Sequence, residues 1–152
     1  MISLTVVVDD GASSRLTELS TSELDESRRQ LVDEAMSVVL QGVVRTNPVD
    51  TGRSRSAWVR ALGAVGGEAP SGWRGPHPDA GSIARGATLG RVERIEGISR
   101  DELRATNAVR YIRYLEYGTS KMRAFAMVRR SLAQVVPRIR GMFAFPPESD
   151  NG

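Results

Sequence analysis

The stretch that most constrains the fold runs from Leu24 to Val44. Its apolar residues recur every three or four positions, which predicts a helix with a buried stripe. From Ala35 onward the stretch is apolar almost all round, so we expect that half to be covered on most sides, by the rest of the fold or by a neighbouring subunit. The helix should end at Asn47-Pro48, because a residue before proline disfavours the helical backbone. The apolar positions are Leu24, Leu31, Val32, Ala35, Met36, Val38, Val39, Leu40, Val43 and Val44.

Three segments are expected to form strands. Along residues 2–8, every second residue is apolar, so that these apolar side chains would lie on one face of a strand. This spacing predicts a strand with one buried face. Two further strands are predicted over residues 58–65 and 101–107. The Gly- and Pro-rich stretch 66–78 is predicted to be a loop in which Trp73 is exposed.

The remaining elements are predicted to be helical. Residues 79–95 have a weak helical pattern that glycines interrupt. Residues 108–117 have apolar side chains at helical spacing and should form a short helix that ends at Gly118. A last helix should include Phe125, and Pro137 should kink or stop it.

Length and composition predict one globular domain. The chain has 152 residues, and we expect a single domain over residues 1–145 and a flexible tail over residues 146–152. The absence of cysteine excludes disulfides and thiolate metal sites. No signal-peptide pattern and no apolar stretch near ~20 residues are visible, so we expect a soluble protein made in the cytoplasm and no membrane contact.

Charge is divided unevenly along the chain. Residues 1–50 hold nine acidic and four basic side chains, whereas residues 51–152 hold nine acidic and 17 basic ones. An acidic front and a basic back suit head-to-tail self-association, in which one patch meets a different patch on the next copy. Two solvated faces would explain the same pattern.

No catalytic constellation is visible. His77 is the only histidine, no nucleophile-elbow motif accompanies it, and an exposed loop histidine is the better interpretation. The stretch YGTSK at 117–121 lacks the spacing and order of a phosphate-binding loop. We therefore expect no enzyme activity, no cofactor and no metal site.

All three tyrosines and the only lysine lie in one segment, YIRYLEYGTSK at 111–121. Such a cluster is typical of a core corner, an active site or a docking surface. Five arginines surround it, and arginine neutralises phosphates while tyrosine stacks on bases. A small Arg-rich DNA-binding protein is therefore an alternative, although Glu116 interrupts the basic cluster and ordinary solvated arginines explain most of it. These arginines are Arg110, Arg113, Arg123, Arg129 and Arg130.

Two segments in the right order resemble a known family. NPVDTGRSRSAW at 47–58 and TNAVRYIRYLEYGTSKMRAFAMVRRSL at 106–132 are similar to motifs of the tail-completion proteins of long-tailed bacteriophages, also called neck or minor tail proteins. The long preceding helix also agrees with that family. One departure is that MRAFAM at 122–127 lacks the prolines that often precede the family's last helix.

The resemblance implies an α+β fold in which a small antiparallel sheet packs against one long helix, with a shorter C-terminal helix. It also implies a structural virion protein, made in the host cytoplasm and located at the head–tail junction of a virus or a related gene-transfer particle. Family members form homo-oligomeric rings, often of six copies. The implied partners are head-closure or connector proteins and tail terminator or tail tube proteins, with passing contact to genomic DNA in the lumen. No catalysis is implied.

The resemblance also suggests an interface. We expect the first motif to pack near the tyrosine segment and to shape the contact between subunits. Glu116 and Lys121 are expected to pair with Arg53 or with acidic residues of a neighbour. The alternative is that both segments are internal turns that every copy needs in order to fold. The interface residues are Asp50, Thr51, Gly52, Arg53, Tyr111, Tyr114, Glu116, Tyr117, Gly118 and Lys121.

Overall fold

A computed structural model of the chain describes residues 1–9 and 21–142. The elements are β1 (Ile2–Asp9), α1 (Thr21–Thr46), α2 (Arg53–Ala64), α3 (Ala80–Ala87), β2 (Gly90–Glu96), β3 (Arg100–Asn107), α4 (Ile112–Tyr117) and α5 (Met127–Met142). The expectation of a flexible tail over residues 146–152 falls outside the described residues.

The strands form one antiparallel sheet in the order β1-β3-β2. Ala105 in the central strand lies opposite Leu4 on one side and Val92 on the other. The core-facing side chains of β1 and β3 pack against α1 and α2, and the opposite face carries exposed side chains such as Val7 and Ile95. The predicted α+β class is thereby confirmed, with a small antiparallel sheet, one long helix and a shorter C-terminal helix.

The apolar half of α1 lies at the centre of the core, as its all-round apolar pattern predicts. Residues 35–44 are buried except for Ser37, Gln41 and Gly42. The helix ends at Thr46, one residue before Asn47-Pro48, where the sequence predicts its end. The terminal turn is held by the Thr46 hydroxyl, which donates to the Gly42 carbonyl at 2.9 Å.

The predicted strand over residues 58–65 is wrong, because residues 58–64 lie in helix α2 and Val65 is its C-cap. Trp58, Ala61 and Leu62 are fully buried, and their three-and-four spacing places them on one face of a helix. The bulky and β-branched residues of this stretch favour a strand by propensity, but burial of the helical face outweighs that preference.

The predicted helix over residues 79–95 is correct only in its first half. Helix α3 ends at Ala87, and β2 begins at Gly90. A side chain at Gly90 would place its Cβ 1.9 Å from the Ala57 carbonyl oxygen, so the chain can pass α2 only with glycine there. This close approach turns the backbone into the strand that follows.

Two smaller expectations also change. Trp73 is half-buried and packs against the core rather than being exposed in its loop. Pro137 does not stop the last helix, since α5 continues to Met142, and Phe125 lies before the helix begins. No helix in the described part of the chain is long and apolar enough to cross a membrane.

Candidate subunit interface

The loop between α1 and α2 is held rigidly from within. The buried Asn47 side chain donates to the Ser54 hydroxyl at 2.9 Å and to the Pro48 carbonyl at 2.7 Å. Gly52 caps α2 in the left-handed region, with φ of 89°, which favours glycine. The Arg55 Nε donates to the Asn47 carbonyl at 3.0 Å, and burial lowers the pKa of the Arg55 guanidinium.

A buried hydrogen bond connects the two motif segments. Asn107, at the end of β3, donates from Nδ2 to the Ser54 carbonyl at 2.9 Å, across 53 residues of sequence. Its Oδ1 accepts from the Val109 N–H at 3.0 Å, which holds the turn into α4. The same asparagine therefore fixes the start of the tyrosine segment relative to the first motif.

An open cavity of about 540 Å³ lies where the two motifs meet. We call it the Arg53 groove. Its lining is largely apolar, but the Nε of Arg53 is buried and has no hydrogen-bond acceptor within residues 1–9 and 21–142. The groove is lined by residues 48–54, Ser82, Tyr111, Leu115 and Phe125.

The other two tyrosines face a different surface. Tyr114 and Tyr117 are 58% and 62% exposed. Together with Arg110 and Arg113 they form what we call the Tyr/Arg patch, which also borders Met1 and Gly118. Neither Arg110 nor Arg113 forms an ion pair within the described part of the chain, so two free guanidinium groups lie beside two exposed rings.

Glu116 lies inside the molecule. Its carboxylate accepts from the N–H groups of Val128 at 2.9 Å and Arg129 at 3.2 Å, which are orphan donors of the first turn of α5. The Arg129 Nε donates to the same carboxylate at 3.0 Å, and the Arg129 guanidinium also lies over the Tyr117 ring. The expected pairing of Glu116 with Arg53 is therefore wrong, because this carboxylate caps α5.

The turn after α4 is built around Gly118. Its φ is 75°, and a Cβ there would lie 2.7 Å from the Met122 carbonyl oxygen, so glycine is required. The chain then turns back, and the Phe125 N–H donates to the Leu115 carbonyl at 2.8 Å. Lys121 lies exposed at the tip of this turn and forms no ion pair with any described residue.

The Tyr/Arg patch and the Arg53 groove share one end of the molecule. The groove includes Pro48, just after α1, and α4 is joined through Glu116 to the start of α5. That start lies against the C-terminal end of α1, where the Thr46 hydroxyl is 3.0 Å from the Ser131 hydroxyl and 3.1 Å from the Met127 carbonyl oxygen. From there α5 runs antiparallel to α1, so that Arg138 borders the same surface depression as Gln30.

The opposite end of the molecule is acidic. The first turns of α1 expose Glu23, Asp25 and Glu26, of which Asp25 pairs with Arg28, and we call this cluster the acidic end. It adjoins the β2–β3 turn, because Arg28 donates to the Gly97 carbonyl at 3.4 Å. With 26 residues, α1 separates the two ends by about 39 Å.

The predicted interface residues thus fall into four places. Residues 50–53 and Tyr111 line the Arg53 groove, and Tyr114, Tyr117 and Gly118 border the Tyr/Arg patch. Glu116 is internal, and Lys121 is exposed outside both cavities. The site residues that sequence reasoning missed are Asn47, Ser82, Asn107, Leu115 and Phe125.

A signal existed for only some of the missed residues. Asn107 belongs to the second motif, and this membership pointed to a role at the site. Nothing in the sequence indicated which residue Asn107 bonds to. Phe125 follows the helical spacing of α5, which pointed to the core. Ser82 lies in a weakly patterned segment and carries no signal for this site.

No protein-family model, curated protein or solved structure matches this chain. Among residues 1–9 and 21–142, no group of three or more His, Asp or Glu side chains could hold a metal ion.

Proposed function

We propose that this chain is a structural virion protein of the tail-completion type, which forms a ring at the head–tail junction and joins the tail to the head connector. The observation that carries the proposal is that the two motif segments meet. Ser54 and Asn107 are joined by a buried hydrogen bond, and both segments line the open Arg53 groove. Segments that resemble one family in sequence therefore form one surface unit.

The charge distribution supports a ring. The Tyr/Arg patch lies at one end of the molecule and the acidic end at the other, about 39 Å apart. A contact between two different patches is heterologous, and repeated heterologous contacts close into a ring when the rotation between copies allows it. Six copies are the expected number by resemblance.

The chemistry of the Tyr/Arg patch suits a contact that becomes buried on assembly. Tyrosine and arginine are enriched among the residues that dominate binding energy at interfaces. Tyr114 and Tyr117 each present a large ring with a polar tip. Guanidinium groups of Arg110 and Arg113 can pair with the carboxylates of a neighbour's acidic end, which favours one orientation of the contact.

A structural role requires no cofactor, and the proposed partners are proteins. They are further copies of this chain, the head connector and the tail terminator or tail tube, with DNA passing through the lumen. His77, the only histidine, is exposed in the loop before α3. We propose that it has no catalytic role.

The test is the solution mass of a variant that loses both exposed rings of the patch, Tyr114→Ser with Tyr117→Ser. Two interface anchors typically contribute about 3 kcal/mol together, so the association constant should fall about 100-fold while the fold remains intact. Arg60→Ser is the control, because Arg60 is exposed on α2 and belongs to neither the Tyr/Arg patch nor the acidic end. Unchanged assembly of the double variant, or equal loss in the control, would contradict this interface.

One observation favours a second function, namely DNA binding. Arg110 and Arg113 have no carboxylate partner among the described residues and lie beside two exposed tyrosines. Such a surface can neutralise phosphates and stack on bases. Binding of duplex DNA that weakens steeply with salt, by a protein that stays monomeric, would favour this function over the ring.

A further inference from the structure

The lining of the Arg53 groove combines apolar surface with a cation, which favours a ligand that has both apolar and anionic groups. Val49, Leu115 and Phe125 offer apolar surface, and Phe125 is 41% exposed. Arg53 adds a cation whose Nε has no acceptor in the described part of the chain. A buried unpaired donor is costly, so an acceptor that arrives with a ligand would be bound favourably. The groove thus suits a segment that carries aromatic side chains followed by a carboxylate.

The chain itself contains such a segment. Residues 143–152 read FAFPPESDNG, with two phenylalanines, two prolines and then two acidic residues. Consecutive prolines favour an extended polyproline conformation, which reduces the entropy lost on docking. The aromatic and acidic residues of this segment match the apolar and cationic parts of the groove in chemistry.

Chain length decides which copy receives the segment. Helix α5 starts at Met127, next to the groove residue Phe125, and ends at Met142, which is about 22 Å further along the helix axis. Phe145 follows Met142 by three residues, which span at most about 11 Å when fully extended. Phe143 and Phe145 therefore cannot return to the groove of their own chain.

The position of the helix end agrees with the proposed ring. Because α5 runs antiparallel to α1, Met142 lies toward the acidic end, whereas the Arg53 groove lies beside the Tyr/Arg patch at the opposite end. A head-to-tail contact brings the acidic end of one copy to the groove of the next. The segment would then leave its own chain where the next groove begins.

We infer that residues 143–152 of one copy dock into the Arg53 groove of the next copy, with the phenylalanines on the apolar wall and Glu148 or Asp150 paired with Arg53. This inference rests on the proposed head-to-tail assembly for its geometry. It adds a second contact between neighbours, made by a segment that crosses the interface.

A complementation experiment with two full-length variants tests this exchange. The tail variant carries Phe143→Ser, Phe145→Ser, Glu148→Gln and Asp150→Asn, and keeps an intact groove. The groove variant carries Arg53→Gln and Phe125→Ser, and keeps an intact tail. We expect each variant alone to self-associate at least about tenfold more weakly than the original protein, because an aromatic anchor and a charged hydrogen bond are lost. Mixed together, they should form pairs, since one intact tail meets one intact groove.

Two controls keep the outcomes separate. Arg60→Gln changes an exposed arginine of the same helix that does not line the groove, and should assemble normally. Circular dichroism of every variant verifies folding. Normal assembly of the tail variant, or a mixture of folded variants that forms no pairs, would overturn the docking inference while leaving the ring proposal standing.

A direct binding measurement covers the case in which the original protein is a monomer. A fluorescent peptide of residues 143–152 is titrated with the full-length tail variant, and its anisotropy is measured. Saturable binding that Arg53→Gln weakens about tenfold supports docking even if the ring proposal fails. An absence of binding overturns docking.

Discussion

Glu116 and Arg53 are both charged residues of family-like motifs, yet their surroundings differ. Glu116 is 1% exposed, and its carboxylate accepts three hydrogen bonds from the start of α5. Arg53 borders an open groove, and its Nε has no acceptor among the described residues. The comparison indicates that a motif residue with all its hydrogen bonds inside the chain serves folding, whereas one with an unmet hydrogen bond beside an open groove is available to a partner.

The largest loss of stability is expected from removing the Glu116 carboxylate, whose hydrogen bonds are all made inside the chain. Glu116→Ala leaves the buried N–H of Val128 without an acceptor and removes the partner of Arg129. The free energy of unfolding should fall by about 3 kcal/mol, as measured by urea denaturation. Glu93→Ala, which removes an exposed partner of Arg91, should cost less than about 0.5 kcal/mol. A loss below about 1 kcal/mol for Glu116→Ala would show that this carboxylate does not hold the α4–α5 junction.

Overpacking behind the groove should have the next largest effect. A Cβ at Gly86 would lie 2.0 Å from the Arg53 carbonyl oxygen, so Gly86→Ala must push α3 away from α2. We expect a loss of about 2 kcal/mol in the free energy of unfolding. Gly63→Ala is the matched control, because a Cβ there meets nothing within 4 Å and alanine favours the helix. Equal stability of the two variants would mean that α3 can move away from α2 at little cost in free energy.

Arg53→Gln should change stability far less than Glu116→Ala. The Arg53 Nε gains no hydrogen bond within the described chain, so its loss should alter the free energy of unfolding by less than about 0.5 kcal/mol. Thermal unfolding of the variant measures this value. A loss comparable to that of Glu116→Ala would place Arg53 among the folding residues and end the distinction between the two sites.

The smallest effect on stability is expected at Asp79. Like Glu116, Asp79 caps the N-terminus of a helix, but the end of α3 that it caps is exposed to solvent. Hydrogen bonds from the Ser82 side chain and N–H, with a weaker contribution from Arg85, lower the pKa of the Asp79 carboxyl below its usual 3.8. The charged cap therefore stabilises the fold above the usual pKa, and this contribution is lost as pH falls through the lowered value. The stabilities of the original protein and Asp79→Asn, measured against pH, should converge in acid. A difference between them that does not change with pH would contradict this role.

Hydrophobic periodicity predicted the elements with a strong pattern. Helix α1 and strand β1 each bury one regular face, so their spacing was readable from the sequence. Strand β2 was missed because Val92 is its only apolar residue facing the core, and the next inward position is Arg94. One apolar and one charged residue at alternating positions are too short a pattern to distinguish a strand from the end of a helix.

The site was less predictable than the fold, for a physical reason. The partners of Glu116 are backbone N–H groups of α5, and backbone groups carry no residue-type signal. The bond between Asn107 and Ser54 likewise ends on a carbonyl. The two motif segments meet in the folded chain, but only the fold separates the Arg53 groove from the buried Glu116.

Sedimentation of the purified full-length protein, at low and high salt and with or without duplex DNA, tests the central claim most directly. The account predicts a discrete closed assembly, near 100 kDa if six 16.5-kDa chains form the ring, with a mass that DNA does not change. A protein that stays monomeric at every concentration, binds DNA at low salt and releases it at high salt would contradict the account and favour the DNA-binding function.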